Sequence, residues 1–275
     1  VKPDNRGERV RGASPRCAVI IPTYNGAALT GACVEALLAN PPSSSLADVI
    51  VVDDGSTDGT PQALARFGSR IQLLEQEVNA GFAAACNAGA RLAPHHDFLV
   101  FLNNDTLPTA GWLDALVAEA LADDRVAAVG AKLLFPNGQV QHAGVVIGQD
   151  RWPHHLYAGF PDDHPAVCRS REVTAVTAAC MLVRRTDFER LGGFDEDFHN
   201  GYEDVDFCLR LAQRSRTIRY CADSVVYHLE SVTRWPSGAP ERTAANDQLF
   251  SDRWRDRAAI DDLQHYLADG LLRFS

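Results

Sequence analysis

The chain has 275 residues, 46 % of them hydrophobic and 23 % charged, with a formal net charge of −10. This suits one large globular domain, or one domain with a small appendage. The acidic balance argues against a phosphate-backbone footprint and so against nucleic acid as a partner, while leaving room for a small anion held by backbone amides or a metal.

The N-terminal stretch VKPDNRGERVRGASPR lacks the apolar core of a signal peptide, and residues 1–15 read as a flexible polar tail. CAVIIP (17–22) is a short apolar run expected as a buried strand. LTGACVEALLAN (29–40) spaces Leu29, Ala32, Cys33, Ala36 and Leu37 as the stripe of an amphipathic helix, stopped by PPSSS. DVIVVD (48–53) is a second buried strand. Thr60-Pro61 reads as an N-cap with Pro at the first helical position, opening a helix through Phe67. IQLLE (71–75) is a third strand, GFAAACNAGARLA (81–93) a small-residue helix able to pack closely, DFLVFL (97–102) a fourth strand and WLDALVAEALAD (112–123) a further helix.

This alternation of strand and helix over the first ~125 residues predicts a parallel sheet covered by helices on both faces. Ligands of such sheets sit outside the carboxyl ends of the strands. PTYN, DDGSTD and NND fall at those ends. The second half is less regular. VAAVG (126–130) is a short strand, RWPHHLYAGFPDDHP (151–165) a long loop and EVTAVTAACMLVRR (172–185) one long apolar strand. GYEDVDFCLRLAQR (201–214) opens with acids and continues as a helix, IRYCADSVVYH (218–228) returns as strand, and 241–270 is helical and amphipathic. No apolar run reaches the ~18 residues needed to span a bilayer. Seven scattered cysteines, odd in number and without a CxxC pair, fit reduced core residues of a cytosolic protein.

Each motif has a plain local reading. DDGSTD is good turn chemistry, as is Asn25-Gly26. The alanines of 81–93 need no more than close helix–sheet packing, although Asn79 and Gly81 at the helix start are placed to offer backbone amides to a ligand. Three acids at 203, 204 and 206 suit a helix N-terminus electrostatically. FLNND is a turn after a strand, or a metal site with one carboxylate.

Taken in order, IPTYNG, VVDDGSTDGT, NAGFAAACNAG, FLNND, GGFDEDF, GYEDVDFCLR and YHLES resemble the family-2 inverting glycosyltransferases of GT-A fold, and most resemble their bacterial rhamnosyltransferase-like branch. The resemblance covers about residues 16–235. It implies a Rossmann-like α/β fold: a mixed, mostly parallel sheet flanked by helices. Residues 16–125 would form the nucleotide-sugar half, 126–235 the acceptor and catalytic-base half, and 236–275 a small C-terminal helical extension.

The resemblance also implies roles. Asp54 would face the nucleotide base, where a carboxylate accepts from a pyrimidine imide N–H. Pro22, Thr23 and Tyr24 would line base and ribose; Asn79, Gly81 and Asn87 would lie beside the sugar nucleotide, and Asn104 would contact ribose. Asp105 would ligate a divalent ion, Mn²⁺ or Mg²⁺, with His228 as the second protein ligand and the diphosphate supplying further oxygens. Asp204 would be the general base, with Glu203 orienting it or binding the acceptor. The co-substrate would be a dTDP- or UDP-sugar, and the acceptor a glycan, a lipid-linked glycan or a natural product. The expected setting is cytoplasmic, with peripheral association at the inner membrane face left open.

Asp195 reads equally as a turn residue or a sugar contact. Trp152, His154, His155 and Tyr157 lie in a loop that either shapes the acceptor site or is a surface flap. Two rival functions remain. A nucleotidyltransferase would want a Gly-rich basic phosphate loop, which IPTYNGAAL lacks. A degenerate sugar-nucleotide binder is suggested by Asn103 and Asn104.

Overall fold

The computed structural model describes residues 14–229 and 240–273. Most of the expected tail and the last residues of the YHLES motif lie outside them. In chain order the elements are β1 (Arg16–Thr23), α1 (Ala27–Ala39), β2 (Leu46–Asp53), α2 (Thr60–Leu64), β3 (Gln72–Glu75), α3 (Phe82–Arg91), β4 (Phe98–Leu102), β5 (Thr106–Pro108), α4 (Trp112–Leu121) and β6 (Val126–Leu134). They continue with β7 (Val140–His142), β8 (Val145–Ile147), β9 (Pro153–His155), β10 (Arg171–Glu172), β11 (Cys180–Arg184), α5 (Arg185–Leu191), α6 (Glu203–Ala212), β12 (Thr217–His228), α7 (Pro240–Trp254) and α8 (Asp262–Ala268).

The main sheet runs β10-β12-β6-β11-β4-β1-β2-β3, with β5 paired to the end of β12 and β7 to β6. The pairs β1–β2, β2–β3, β1–β4 and β6–β12 are parallel, while β11 lies antiparallel between β4 and β6. The chain builds outward from β1 through β2 and β3, then returns to place β4 on the other side. That reversal opens a crevice at the carboxyl ends of β1 and β4, the switch point where open α/β sheets bind ligands.

Both faces of the sheet are covered, which is why its strands read as continuous apolar runs. Along β1, Ala18 and Ile20 point into one core, and Cys17, Val19 and Ile21 into the other, the period-2 alternation of a strand. Helix α3 lies against the first of these faces through Gly89. A Cβ at that position would meet Ile20 Cγ2 at 2.5 Å and Val52 Cγ2 at 3.1 Å. The small residues of this helix therefore set how near it sits to the sheet.

Several expectations shift. The buried stripe of α1 is Thr30, Cys33, Val34 and Leu37, rotated from the one read from spacing. Thr60 is the first helical residue rather than the cap. Gly59 takes the cap position at φ 79°, and Asp58 Oδ1 accepts from the Thr60 amide and hydroxyl. The long strand expected at 172–185 is broken. Only Arg171–Glu172 and Cys180–Arg184 are strand, because Ala178 and Ala179 turn to bond Asp204 and Asn103. The loop at 151–165 contains β9, paired with β8, and α5 was not foreseen.

Gly89→Val should destabilise the fold by about 1–3 kcal/mol, the usual cost of overpacking a tight core contact. The slight gain in helix propensity is too small to offset it. Chemical denaturation measures this, and an unchanged midpoint would show that α3 can retreat from the sheet without penalty.

Candidate active site

The turn after β4 and the end of β12 meet because β5 pairs antiparallel with β12 in the register Thr106↔His228. The Leu229 amide also donates to the Asp105 carbonyl. This puts His228 Nε2 3.1 Å from Asp105 Oδ1, with both residues buried. On the other side of the ring, His228 Nδ1 lies 2.6 Å from Gln141 Oε1. An amide oxygen only accepts, so Nδ1 donates to it, and Nε2 is the ring nitrogen that faces Asp105. Asn103 Nδ2 donates toward the same Nε2 at 3.3 Å. A carboxylate oxygen and an imidazole nitrogen converge here, with the ring held from behind by a hydrogen bond. This fits a divalent cation that accepts mixed O and N ligands.

The turns after β1 and β2 are tied to this junction. Asn104 Nδ2 donates to Thr23 Oγ1 (3.1 Å) and Thr30 Oγ1 (3.0 Å), which are 2.7 Å apart. An acid at 104 has no N–H to give to this hydroxyl pair, so the asparagine has a structural reason. Gly26 leaves the space, since a Cβ there would stand 2.6 Å from Asn104 Nδ2. Asn25, at φ 50°, donates its backbone N–H to the Ser56 hydroxyl oxygen and accepts the Thr57 amide on its side-chain oxygen. Pro22 and Thr23 are buried and Tyr24 is half-buried at this same turn.

Asp54 is fully buried, and both its oxygens accept backbone amides: Ala80 at 2.9 Å and Gly81 at 2.8 Å. Burial raises its pKa, and the two amide bonds oppose that rise. The expectation that Gly81 offers a free amide does not hold in this state. The Gly81 N–H is held by Asp54, and the next one, Phe82 N–H, by Asn200 Oδ1 at 3.0 Å. Asn79 is exposed at the tip of the same loop.

The acidic pair opens α6. Asp204 Oδ1 accepts from Val205 N–H (2.8 Å) and Oδ2 from Ala178 N–H (3.0 Å), which fixes the carboxylate across two elements. Glu203 is buried, and its Oε2 accepts the Gly201 amide at 2.6 Å. Burial first, and then the neighbouring Asp204 charge, push the Glu203 carboxyl up to about 8. Burial thus favours the protonated form of the Glu203 carboxyl beside Asp204. Both acids line a cavity of about 370 Å³, together with Phe82, Asn103, His155, Ala178 and Tyr202. Asn103 joins this cavity to His228 and Asp105.

The loop feeding α6 is strained. Asn200 has φ 55° and Tyr202 φ 70°, conformations that cost roughly 1–3 kcal/mol each outside glycine. Tyr202 stacks on Phe250 of α7 (centroids 4.9 Å apart, planes at 29°), and its hydroxyl donates to Asp247 at 2.9 Å.

Other expected residues lie elsewhere. Asn87 is buried away from the cavity, donating to Phe194 O and Glu196 Oε1 and accepting from Phe194 N–H. All its polar atoms tie α3 to the 194–196 turn, so the structure does not bring it to the cavity. Asp195 pairs with Arg253, and Asp206 with Arg210, Arg253 and Trp254, so these acids hold α7 in place. In the 151–165 segment, His154 and His155 line the cavity, Trp152 stacks on Phe250, and Tyr157 is buried with its hydroxyl on Asp269. Sequence reasoning missed Gln141, Asn200 and Asn246. All three are uncharged amides outside any motif, and only their partners give them meaning.

The architecture and the position of this cavity define the GT-A class. Residues 18–192 match glycosyl transferase family 2, and residues 166–236 match the description glycosyltransferase like family 2. The chain belongs to glycosyl transferase family 2. It is 35 % identical over 240 residues to the O-antigen biosynthesis protein RfbC of Myxococcus xanthus, covering 84 % of this chain and 18 % of that protein. It is 30 % identical to the N-acetylglucosaminyl-diphospho-decaprenol L-rhamnosyltransferase of Mycobacterium tuberculosis, covering 66 % of each. The chain thus spans from less than a fifth to about two thirds of these relatives. Among solved structures, the mannosyltransferase PcManGT from Pyrobaculum calidifontis, in complex with GDP-Man and Mn²⁺, superposes with a TM-score of 0.63. It is 24 % identical and matches 93 % of this chain and 68 % of its own. GalNAc-T7 with UDP, GalNAc and Mn²⁺ gives 0.71 at 16 % identity, over 87 % of this chain and 48 % of its own. These likenesses establish the fold. Among the described residues, no helix is long and apolar enough to cross a membrane.

The Glu203 environment has a thermodynamic consequence. Unfolded, Glu203 loses its proton near 4.5; folded, it keeps it to about 8. Between these values the folded state holds the extra proton, so raising the pH removes stability. The Tm of the wild type should fall more between pH 6 and pH 9 than that of Glu203→Gln, which keeps an acceptor for Gly201. Parallel pH curves for the two proteins would contradict this account of the carboxyl.

Proposed function

We propose that the chain transfers a sugar, with inversion at the anomeric carbon, from a nucleoside-diphosphate sugar to an acceptor hydroxyl. The observation that carries this is the single cavity lined by Asp204, Glu203 and Asn103, with Asn103 bonded to the His228–Asp105 pair. A proton acceptor and a cation-binding pair thus adjoin one space at the sheet's switch point.

Asp204 takes the proton of the acceptor hydroxyl as that oxygen attacks the anomeric carbon. The bond from that carbon to the diphosphate oxygen breaks, and its electron pair leaves with the nucleoside diphosphate. Two backbone amides, from Ala178 and Val205, keep the Asp204 carboxylate in place at the start of α6. Glu203, protonated and uncharged, adds no second negative charge at the cavity wall. Asp105 and His228 would hold a divalent cation, Mn²⁺ suiting the imidazole better than Mg²⁺, and the cation would stabilise negative charge on the departing diphosphate. Pro22, Thr23, Tyr24, Asn79, Gly81 and Asn104 form the nucleotide side. Asp54 joins them by holding the 80–81 backbone, each oxygen keeping a second lone pair.

Donors of the dTDP- or UDP-sugar class, and glycan, lipid-linked or natural-product acceptors, follow from the resemblance to rhamnosyltransferases and O-antigen proteins. The reaction would then serve carbohydrate biosynthesis in the cytoplasm, at the inner membrane face where the acceptor is lipid-linked. A second reading, a sugar-nucleotide binder without turnover, is favoured by one observation: Asn104, at a position where acids are common, has its amide nitrogen committed to Thr23 and Thr30.

Donor turnover across a panel of nucleotide sugars decides between the two. Asp204→Asn should lose about 10²–10⁴-fold in rate while binding UDP or dTDP within twofold of wild type; full turnover in this variant would remove Asp204 from the role of base. Mn²⁺ titrated with UDP should bind at least tenfold more tightly than Mn²⁺ alone, since the proposed pair of Asp105 and His228 leaves the rest of its coordination to the diphosphate. Asp105→Asn and His228→Ala should each abolish that difference, and equal affinities in the wild type would count against the shared site.

A further inference from the structure

The matches to the family end at residue 236, yet α7, which begins at Pro240, packs directly on the loop that presents the acidic pair. The contact is specific. The His199 amide donates to Asn246 Oδ1 at 3.0 Å, and Asn246 Nδ2 donates to His199 O at 2.9 Å and to Gly201 O at 3.3 Å. Asn246 is 5 % exposed, and every polar atom of its side chain is committed to this one backbone segment.

The clasped segment governs both sides of the cavity. Gly201 N–H donates to Glu203 Oε2, and Asn200 Oδ1 accepts Phe82 N–H at the start of α3. Asn200 tolerates its left-handed backbone, but Tyr202 at φ 70° does not, so the loop gains from an outside partner that keeps its shape. Asp247 and Phe250, on the same helix, fix the Tyr202 side chain through its hydroxyl and its ring face. The more distant contacts of the C-terminal segment do not touch this loop. Asp261 accepts the Ile147 amide at 2.7 Å and the Thr174 hydroxyl at 2.6 Å.

We propose that Asn246 is a positioning residue for sugar transfer, clasping residues 199–201 so that Glu203 and Asp204 face the cavity. The proposal rests on the reading of Asp204 as the base. Asn246 touches no reactant; it acts through the loop, and α7 is part of the catalytic architecture rather than an appendage. A helix beyond residue 236 thereby sets how fast this active site works.

The test compares Asn246→Ala, Thr174→Val and Asp204→Asn. Each is assayed for turnover of the best donor from the nucleotide-sugar panel, for binding of UDP with Mn²⁺, and for Tm. Asn246→Ala should lower kcat at least tenfold, with donor KM and UDP affinity within about twofold of wild type. Thr174→Val removes a hydrogen bond of the same C-terminal segment and should lower Tm while keeping kcat. Asn246→Asp preserves the acceptor for His199 N–H, removes both donors at unchanged size, and decides by the same criterion if Asn246→Ala does not fold. Wild-type kcat in the Asn246 variants beside a dead Asp204→Asn would overturn this proposal alone. So would an equal kcat loss in Thr174→Val, which would reduce the effect to general destabilisation. Turnover in Asp204→Asn would instead sink the base assignment, and with it the positioning role of Asn246.

Discussion

The register of β5 against β12 is the constraint on which the site depends. Thr106 opposite His228 delivers an imidazole from the last residue of a 12-residue strand to a carboxylate 3.1 Å away at the turn after β4. A shift of one residue would send the His228 side chain to the other face of the sheet. β12 is held in place by its long parallel pairing with β6, which absorbs an irregularity between Cys221 and Val225. That irregularity lies just before the stretch that meets β5. The strand is therefore both a scaffold element and the carrier of the imidazole beside Asp105.

Around this junction, many polar side chains hold loops in place. Asp54 secures the 80–81 backbone, Asn104 joins the turns after β1 and β4, Asn87 ties α3 to the 194–196 turn, and Asp206 anchors α7. Burying such groups without partners would cost about 1–3 kcal/mol each, so each is matched by two or more bonds. Three carboxylates are left for other uses. Asp204 and Glu203 line the cavity, and Asp105 meets His228. The distinction is geometric. Asp54 and Asp204 both accept two backbone amides, but only Asp204 does so on a cavity wall.

Much of the first half was legible because it follows local rules. Buried parallel strands announce themselves as apolar runs, and the alternation with helices fixed both the sheet and the end of it that carries ligands. The motifs singled out Asp105, Asp204 and His228; in space Asp105 and His228 lie together and Asp204 lines the cavity. The second half was harder for physical reasons. The segment 172–185 is apolar throughout, yet Ala178 and Ala179 leave strand geometry to serve Asp204 and Asn103, and apolarity carries no record of that. The Thr60 cap failed because Gly59 supplied the left-handed turn, leaving Asp58 to receive the Thr60 donors. Gln141 and Asn246 were invisible, since an isolated amide has no spacing signature.

The sequence by itself determined the class of fold, the strand ends where chemistry gathers, and the residue types available there, because periodicity and turn chemistry act within a few residues. Tertiary structure alone decided which of those residues meet. His228 and Asn103 are 125 residues apart in the chain and bonded in space. Asn246 reaches a loop 47 residues before it. Such contacts are fixed by strand register and helix packing, which sum small terms over the whole chain, and no local pattern encodes that sum.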